Sequence, residues 1–266
     1  MTVSAGIIVV LLVYTGIAVL DQISIQIGPY SALFGGAITG LVMGDLSTGL
    51  LIGATLQLAT LGVATYGGAT VPDFLSGSII GTAYAILSGG GVEYGMGIAI
   101  PVGLLLTQLD ILGRMCNTFF QHRADKYAET GNYKGVERCN VAGIIPWTLS
   151  RILPVTLCLI FGEQLITILN DIIPGWFMTG LQAAGKILPA MGIAILMRYL
   201  PLKKFYPFFI IGFVLMAYFG ATLSVLGVAL LGFAAAALYV MSQQNKKGAT
   251  TGNSVVEDDE EVEIDG

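Results

Sequence analysis

The sequence is short of charge. Asp, Glu, Lys and Arg together make up 11% of the 266 residues, whereas soluble domains carry about 25%. Hydrophobic residues make up 55%, and the mean hydropathy is +0.81. So few charges cannot cover a water-facing surface, which excludes a soluble enzyme, a nucleic-acid binder and a disordered chain. The composition predicts an all-α, polytopic integral membrane protein.

Residues that carry catalysis are also scarce. The three cysteines lack metal-ligand spacing and are interpreted as small packing residues. His122 is the only histidine, and its place beside Arg123 in a charged segment favours a solvated surface residue over a phosphoryl acceptor. The chain has no Gly-x-x-x-x-Gly-Lys-Ser/Thr loop. We therefore predict no catalytic residue, metal or cofactor in this chain.

Basic residues are absent from the first 113 positions. They cluster instead at 114–138, at 198–204 and at 246–247, and the positive-inside rule predicts that these three clusters are cytoplasmic. Seven acids fall within residues 257–265; a solvated, disordered end is the preferred interpretation of this tail, and docking of a cytoplasmic partner is the alternative. The predicted segments are a glycine-rich membrane region with the candidate site (1–112), a cytoplasmic amphipathic, charged segment (113–139), C-terminal membrane helices (140–242) and a disordered acidic cytoplasmic tail (243–266).

Glycine, by contrast, is abundant. It supplies 36 residues, about twice the usual ~7%, and it interrupts the apolar stretches of the first half. A span needs about 20 apolar residues; the region 32–68 is long enough for two passes, whereas 74–87 is too short for one. These interruptions predict re-entrant or broken helical hairpins beside the transmembrane helices. The apolar run at 205–241 is interrupted near Gly220, and it predicts a helical hairpin of two short spans.

A run of polar side chains stands inside the apolar sequence at 53–73. The break at Gly67-Gly68 and Pro72 would free backbone groups to bind a polar ligand, and hydroxyl, amide and carboxylate groups suit a hydroxyl-rich molecule such as a sugar. The alternative is that Thr and Gln make hydrogen bonds between helices. The polar residues of this run are Thr55, Gln57, Thr60, Thr65, Tyr66, Thr70 and Asp73.

Four other acids have structural interpretations. Asp45 follows Gly44 and is predicted to cap a helix. Asp110 is expected to pair with Arg114, four residues later on a helix. Asp21 and Gln22 could face a cavity or lie at a membrane interface, and the interface is the preferred interpretation. Glu93 follows Gly89-Gly-Gly-Val and is expected in a loop.

Two motifs carry a resemblance to a known family. The stretch Gly44-Asp-Leu-Ser-Thr-Gly-Leu-Leu-Ile-Gly-Ala-Thr-Leu-Gln-Leu, followed by Gly67-Gly-Ala-Thr-Val-Pro-Asp73, resembles the membrane IIC subunit of mannose-family phosphotransferase systems (PTS). The resemblance continues at 120–126, 180–189 and 207–213, and it covers nearly the whole chain except the acidic tail.

This resemblance implies a sugar permease of the bacterial cell membrane, and the basic residues at 246–247 predict that its C-terminus is cytoplasmic. Such IIC subunits pair with a second membrane subunit, IID, and the complexes assemble as trimers of heterodimers. Sugar crosses through the IIC–IID unit by an elevator-like movement. A IIB domain, charged by IIA from phosphoenolpyruvate through HPr, phosphorylates the emerging sugar, so IIC is not catalytic alone. The expected substrate is a hexose or an amino sugar.

The resemblance also implies the sugar-contacting residues. Members that carry mannose have Glu at the position of Gln57, Asn at that of Thr65 and the Asp that is retained here as Asp73. We therefore expect sugar contacts from Asp73 and Gln57, with Thr65, Thr70 and Tyr66 as further candidates. The lost carboxylate argues against mannose itself, and 67–69 and 180–189 look more like the amino-sugar branches.

Two other functions are alternatives to a phosphotransferase permease. A cation-coupled secondary sugar carrier would need a coupling acid, such as Asp45 or Asp21. A non-transporting scaffold or receptor subunit is disfavoured by the intramembrane acids and broken helices.

Overall fold

The computed structural model describes residues 3–61, 71–162, 164, 174–220 and 225–252, and the regular structure in these ranges is helical throughout. This confirms the all-helical prediction. The chain divides into two compact units, Met1–Tyr199 and Leu200–Gly266. The first contains α1 (Ala5–Ile23), α2 (Ala32–Met43), α3 (Leu46–Ala59), α4 (Phe74–Ser88), α5 (Gly91–Glu129), α6 (Tyr133–Ala142), α7 (Ile144–Ile160) and α8 (Gly175–Tyr199), and the second contains α9 (Leu202–Phe219) and α10 (Val225–Gly252).

Four described stretches are long and apolar enough to cross a membrane: α1, α5, α6 with α7 (Tyr133–Ile160), and α9. The helices α2, α3 and α4 are apolar but have only 12, 14 and 15 residues. At 1.5 Å per residue they are ~18–22 Å long, against a hydrocarbon core of ~30 Å. Short helices are what the glycine-broken sequence predicted for this region; their re-entry from one side of the membrane stays a prediction.

The α2–α3 hairpin forms because a tight turn joins two glycine-lined helices. Gly44 ends α2 with φ +92°, a conformation that favours glycine. Asp45 then caps α3: its carboxylate accepts hydrogen bonds from the backbone N–H of Thr48 (3.0 Å) and from the Thr48 hydroxyl (2.6 Å). The predicted capping role of Asp45 is confirmed.

Gly36 lets the backbones of α2 and α3 touch. A Cβ at Gly36 would overlap the carbonyl oxygen of Gly49 and would lie 2.9 Å from the Cα of Gly53. Because both neighbours are backbone, neither can turn aside, and overpacking of this kind destabilises a protein by ~1–3 kcal/mol. We expect Gly36→Ala to lower the melting temperature of the detergent-solubilised chain measurably.

Gly212 provides the matched control. It lies inside α9 with nothing within 4 Å of an added Cβ, and Ala is the better helix former there. Gly212→Ala should leave the melting temperature unchanged or raise it slightly. Equal melting temperatures for the two variants would contradict the role given to Gly36.

The helix α5 is longer than the sequence suggested. It runs for 39 residues without a break, ~58 Å, and so crosses the predicted boundary between the segments 1–112 and 113–139 as one element. Glu93 lies in its first turn, so the expected loop placement was wrong. The turn is made by Gly89 and Gly91, whose φ values are +67° and +69°, and the chain is helical again two residues before Glu93.

The core of the first unit is formed where α4 packs between neighbours. Ile79 and Ile80 on α4 are fully buried against Leu11 of α1 and Val155 of α7. The helix also packs against α2 and α5. The N-terminal end of α4 is therefore held on several sides, and the site described below depends on that end.

The second unit is a helical hairpin. The helix α9 ends at Gly220, and the ring of Tyr239 on α10 lies 5.5 Å from that of Phe205 and 6.0 Å from that of Phe208. The two helices form the predicted hairpin with a break near Gly220; that both of them cross the membrane stays a prediction.

Candidate functional site: a charged cavity in the first unit

A cavity of about 600 Å³ opens in the first unit around the N-terminal end of α4. The end of α1 and the loop after it, the end of α3, and inner residues of α5 and α7 complete its wall. Its lining residues include Gln22, Gln26, Tyr30, Gln57, Thr60, Pro72, Asp73, Asp110, Arg114, Trp147 and Arg151. Binding sites for small molecules usually have volumes of 300–1,000 Å³ and a few convergent polar groups.

Asp73 is the N-cap of α4. Its carboxylate accepts hydrogen bonds from the backbone N–H of Ser76 (3.2 Å) and from the Ser76 hydroxyl (2.7 Å). Pro72 precedes it, and the residue before a proline is pushed into an extended conformation, which ends any helix entering this turn. The cap therefore fixes the Asp73 carboxylate at the cavity wall.

Gln57 reaches the cavity from the last turn of α3. Its side-chain oxygen accepts a hydrogen bond from the backbone N–H of Ala32 at 3.0 Å. That N–H belongs to the first turn of α2, where intrahelical partners are lacking. Gln57 thus joins the two ends of the α2–α3 hairpin beside the cavity.

A chain of charges, buried except at Arg114, crosses the cavity wall. Arg151 of α7 donates to Asp110 of α5 at 2.9 Å, and its Nε lies 3.6 Å from the Asp73 carboxylate. Arg114 also pairs with Asp110, at 3.1 Å, as the i,i+4 spacing predicted. Arg151 is only 5% exposed and Asp110 6%. Buried charges at membrane depth are expensive, and they default to a functional role.

The Nε of Arg151 is a donor without a hydrogen-bond partner in the described ranges. At 3.6 Å its attraction to Asp73 is electrostatic rather than a hydrogen bond. Trp147 lies beneath the two arginines, with the guanidinium carbons of Arg114 and Arg151 at 5.7 and 5.3 Å from its ring. The cavity thus offers an acceptor, a buried N–H donor and an aromatic face together.

Asp21 shapes the loop that rims the cavity. Its carboxylate accepts from the backbone N–H groups of Ile27 (2.8 Å), Gly28 (3.1 Å) and Tyr30 (3.3 Å). This role holds Tyr30 at the cavity wall, and Asp21 itself does not line the cavity.

The structure brings two of the five predicted sugar-contacting residues together. Asp73 and Gln57 line the same cavity. Thr65, Thr70 and Tyr66 lie outside the described residues. Sequence reasoning missed Arg151 and Trp147, although Arg151 gave a signal, since a lone charge in an apolar stretch is itself a candidate site.

An all-helical, multi-pass membrane protein with a charged cavity is the class that these features define. The family model described as "PTS system sorbose-specific iic component" matches residues 5–238. A fructose permease IIC component of Bacillus subtilis is 31% identical over 93% of this chain and 92% of its own length. The mannose-specific EIIC component of Escherichia coli is 32% identical over 76% of each chain.

A solved structure gives the same result. The cryo-EM structure of the mannose transporter ManYZ with microcin E492 aligns with a TM-score of 0.58 and 27% identity, over 91% of this chain and 97% of that one. The chain therefore belongs to the sorbose-specific IIC family of the phosphotransferase system, within the mannose group. It is a multi-pass IIC sugar permease component and not the domain that transfers the phosphoryl group.

Proposed function

We propose that the cavity is the sugar-binding site of this permease. The observation that carries the proposal is the convergence of Gln57 and Asp73, from separate helices, on one cavity that also holds a buried arginine. Gln57 and Asp73 would hold sugar hydroxyls, Arg151 would donate from its Nε, and Trp147 would face the apolar side of the ring. Thr65 stays a candidate on the strength of the family resemblance, and Thr70 and Tyr66 stay candidates as members of the polar run at 53–73.

The cation-coupled carrier receives no support from its two candidate acids. Asp45 is engaged in capping α3, and Asp21 holds the loop at 27–30. Neither of them lines the cavity.

The working form that we propose is a complex. The structural relative is a two-component transporter, ManYZ, which supports a IID partner for this chain and, by the family resemblance, a trimer of IIC–IID heterodimers. IIB, charged by IIA, would phosphorylate the emerging sugar on the cytoplasmic side, where the basic clusters and the C-terminus are predicted to lie. A phosphorylated sugar carries charge, so it cannot leak back through an apolar barrier.

The test is sugar phosphorylation by membranes that contain this chain and its IID partner. Phosphoenolpyruvate and the soluble phosphocarriers are supplied with a panel of hexoses and amino sugars. We expect one sugar to be phosphorylated, and the activity to vanish when this chain is omitted. If instead the sugar is taken up without being phosphorylated, and an ionophore abolishes that uptake, the result would support a secondary carrier.

Gln57 is expected to help select the sugar. Gln57→Glu keeps the oxygen that accepts from Ala32 and restores the carboxylate that mannose-carrying members have at this position. Because a hydrogen bond to a charged group is worth ~1.5–3 kcal/mol, we expect phosphorylation of mannose relative to the best panel sugar to rise about tenfold.

Gln22→Glu is the control for charge alone, because Gln22 lines the same cavity at its α1 end. It should leave the ratio of the two sugars unchanged. If both variants shift the ratio equally, Gln57 acts through the field of the cavity and not through a contact with the sugar.

A further inference from the structure

A second groove lies in the charged segment, away from the charged cavity. It has a volume of about 480 Å³ and is formed by the last turns of α5 and by α6. We call it the basic groove. Its walls are Phe119, Phe120, Arg123, Tyr127, Asn132, Lys134, Gly135, Arg138, Cys139 and Ala142.

Three cations line the basic groove, and no acid does. Arg123, Lys134 and Arg138 form no ion pair with the residues that the structure describes. The acids of the same segment, at 125, 129 and 137, do not line the groove. Arg123 is held by Tyr127, whose hydroxyl accepts from its Nε at 3.4 Å and whose ring lies 5.7 Å below its guanidinium carbon. The groove is therefore a site of concentrated positive charge.

The two helices that form the groove are closely packed where they meet. Gly135 of α6 lies against the ring of Tyr127, so close that a Cβ there would overlap the ring. Asn132 caps α6 by accepting from the N–H of Gly135 at 3.0 Å. This packing sets the backbone positions of Lys134 and Arg138 relative to Arg123, and the three side chains themselves are exposed.

Apolar side chains close to the groove are exposed, both on α5 and on the segment where α6 leads into α7. Near the groove α5 and α7 pack side by side: a Cβ at Gly113 would lie 3.7 Å from Ser150, and one at Gly143 would lie 3.1 Å from Asn117. Along these helices Met115 is 65% exposed and Phe119 is 63% exposed. Val141 at the end of α6 and Ile145 at the start of α7 are also exposed. Phe119 is both one of these exposed apolar residues and part of the groove wall.

We propose that the basic groove binds the headgroup of an anionic phospholipid. Its phosphate would be held by Arg123, Lys134 and Arg138, and its acyl chains would lie along Met115, Phe119, Val141 and Ile145. Basic pockets on the cytoplasmic side of membrane helices suit anionic headgroups, and aromatic side chains favour the interface. An acidic or phosphorylated protein would use the cations but not these exposed apolar side chains, which is why the lipid is preferred.

The proposal is tested by native mass spectrometry of the full chain from mixed micelles that contain phosphatidylglycerol and phosphatidylcholine in equal amounts. Phosphatidylglycerol should be retained in at least about tenfold preference. The variant R123Q/K134Q/R138Q should lose that preference. The matched variant R198Q/K203Q/K204Q removes three cations from the basic cluster at 198–204, which does not line the groove. This variant should keep the preference for phosphatidylglycerol.

Two further arms separate the headgroup from other anions. Glycerol phosphate, which lacks acyl chains, should not be retained, and Phe119→Ser should weaken retention of phosphatidylglycerol without any change in charge. Equal retention of both lipids, or undiminished phosphatidylglycerol on the triple glutamine variant, would overturn the proposal. The proposal would also be overturned if glycerol phosphate were retained as strongly as the lipid. The same holds if Phe119→Ser retained as much phosphatidylglycerol as the unmodified chain does.

Discussion

Replacing Asp73 by Asn should lower sugar phosphorylation, measured as kcat/KM in membranes with the IID partner, by about tenfold or more. Asn removes the negative charge that we propose to hold a sugar hydroxyl, and a hydrogen bond to a charged group is worth ~1.5–3 kcal/mol. Asn caps helices about as well as Asp, so α4 should still begin at Phe74. The amount of IIC–IID complex recovered from the membrane should be unchanged.

Asp45→Asn is a closely matched control. Asp45 caps α3 in the same way that Asp73 caps α4, with one bond to the N–H and one to the hydroxyl of the residue three positions later. It does not line the cavity. Phosphorylation should therefore be nearly normal in Asp45→Asn. Unchanged phosphorylation in Asp73→Asn, with the complex assembled, would remove Asp73 from the sugar site.

Replacing Arg151 by Met should strongly destabilise the protein. Arg151 is buried between Asp110 and Asp73, so its removal leaves two carboxylates without their shared cation. Breaking a buried ion pair by removing one partner destabilises by ~3–5 kcal/mol. We expect a large fall in the melting temperature of the detergent-solubilised chain, together with loss of phosphorylation.

Lys186→Met gives the comparison for an exposed pair. Lys186 bonds to Glu93 at 2.6 Å, but their side chains are 66% and 61% exposed, and such pairs contribute only ~0–1 kcal/mol. The melting temperature of Lys186→Met should be almost the same as that of the unmodified chain. A fall in Lys186→Met as large as that in Arg151→Met would contradict the argument from burial.

The double variant Asp110→Asn with Arg151→Met separates the charge from the packing of Arg151. Asn removes one of the two carboxylates that lose Arg151, although Asp110 keeps its pair with Arg114. The double variant should therefore be more stable than the sum of the single effects predicts. Strict additivity would mean that Arg151 stabilises the fold through packing alone, and that the ion pair with Asp110 contributes little.

Local patterns predicted the parts of the site that depend on neighbours in sequence. The cap at Asp45 followed from the preceding glycine, and the Asp110–Arg114 pair from a spacing of four residues. The run of polar residues at 53–73 indicated Gln57 and Asp73, and both line the charged cavity. In each case the signal lay within a few helical turns.

Contacts between distant segments were not predictable in this way. Arg151 is 41 residues from Asp110 and 78 from Asp73, and only the packing of α7 against α5 and α4 brings them together. The uninterrupted course of α5 was missed for a related reason. The change from apolar to charged residues near 113 indicates a change of surroundings, but a helix can pass through such a change without ending.

The most direct test of the charged cavity as the sugar site is a cryo-EM map of the chain with its IID partner and the sugar that the phosphorylation panel identifies. The account predicts sugar density inside the cavity, within hydrogen-bonding distance of Gln57 and Asp73 and facing the Nε of Arg151. Sugar density outside this cavity, with Asp73 and Arg151 still paired and away from the ligand, would contradict it.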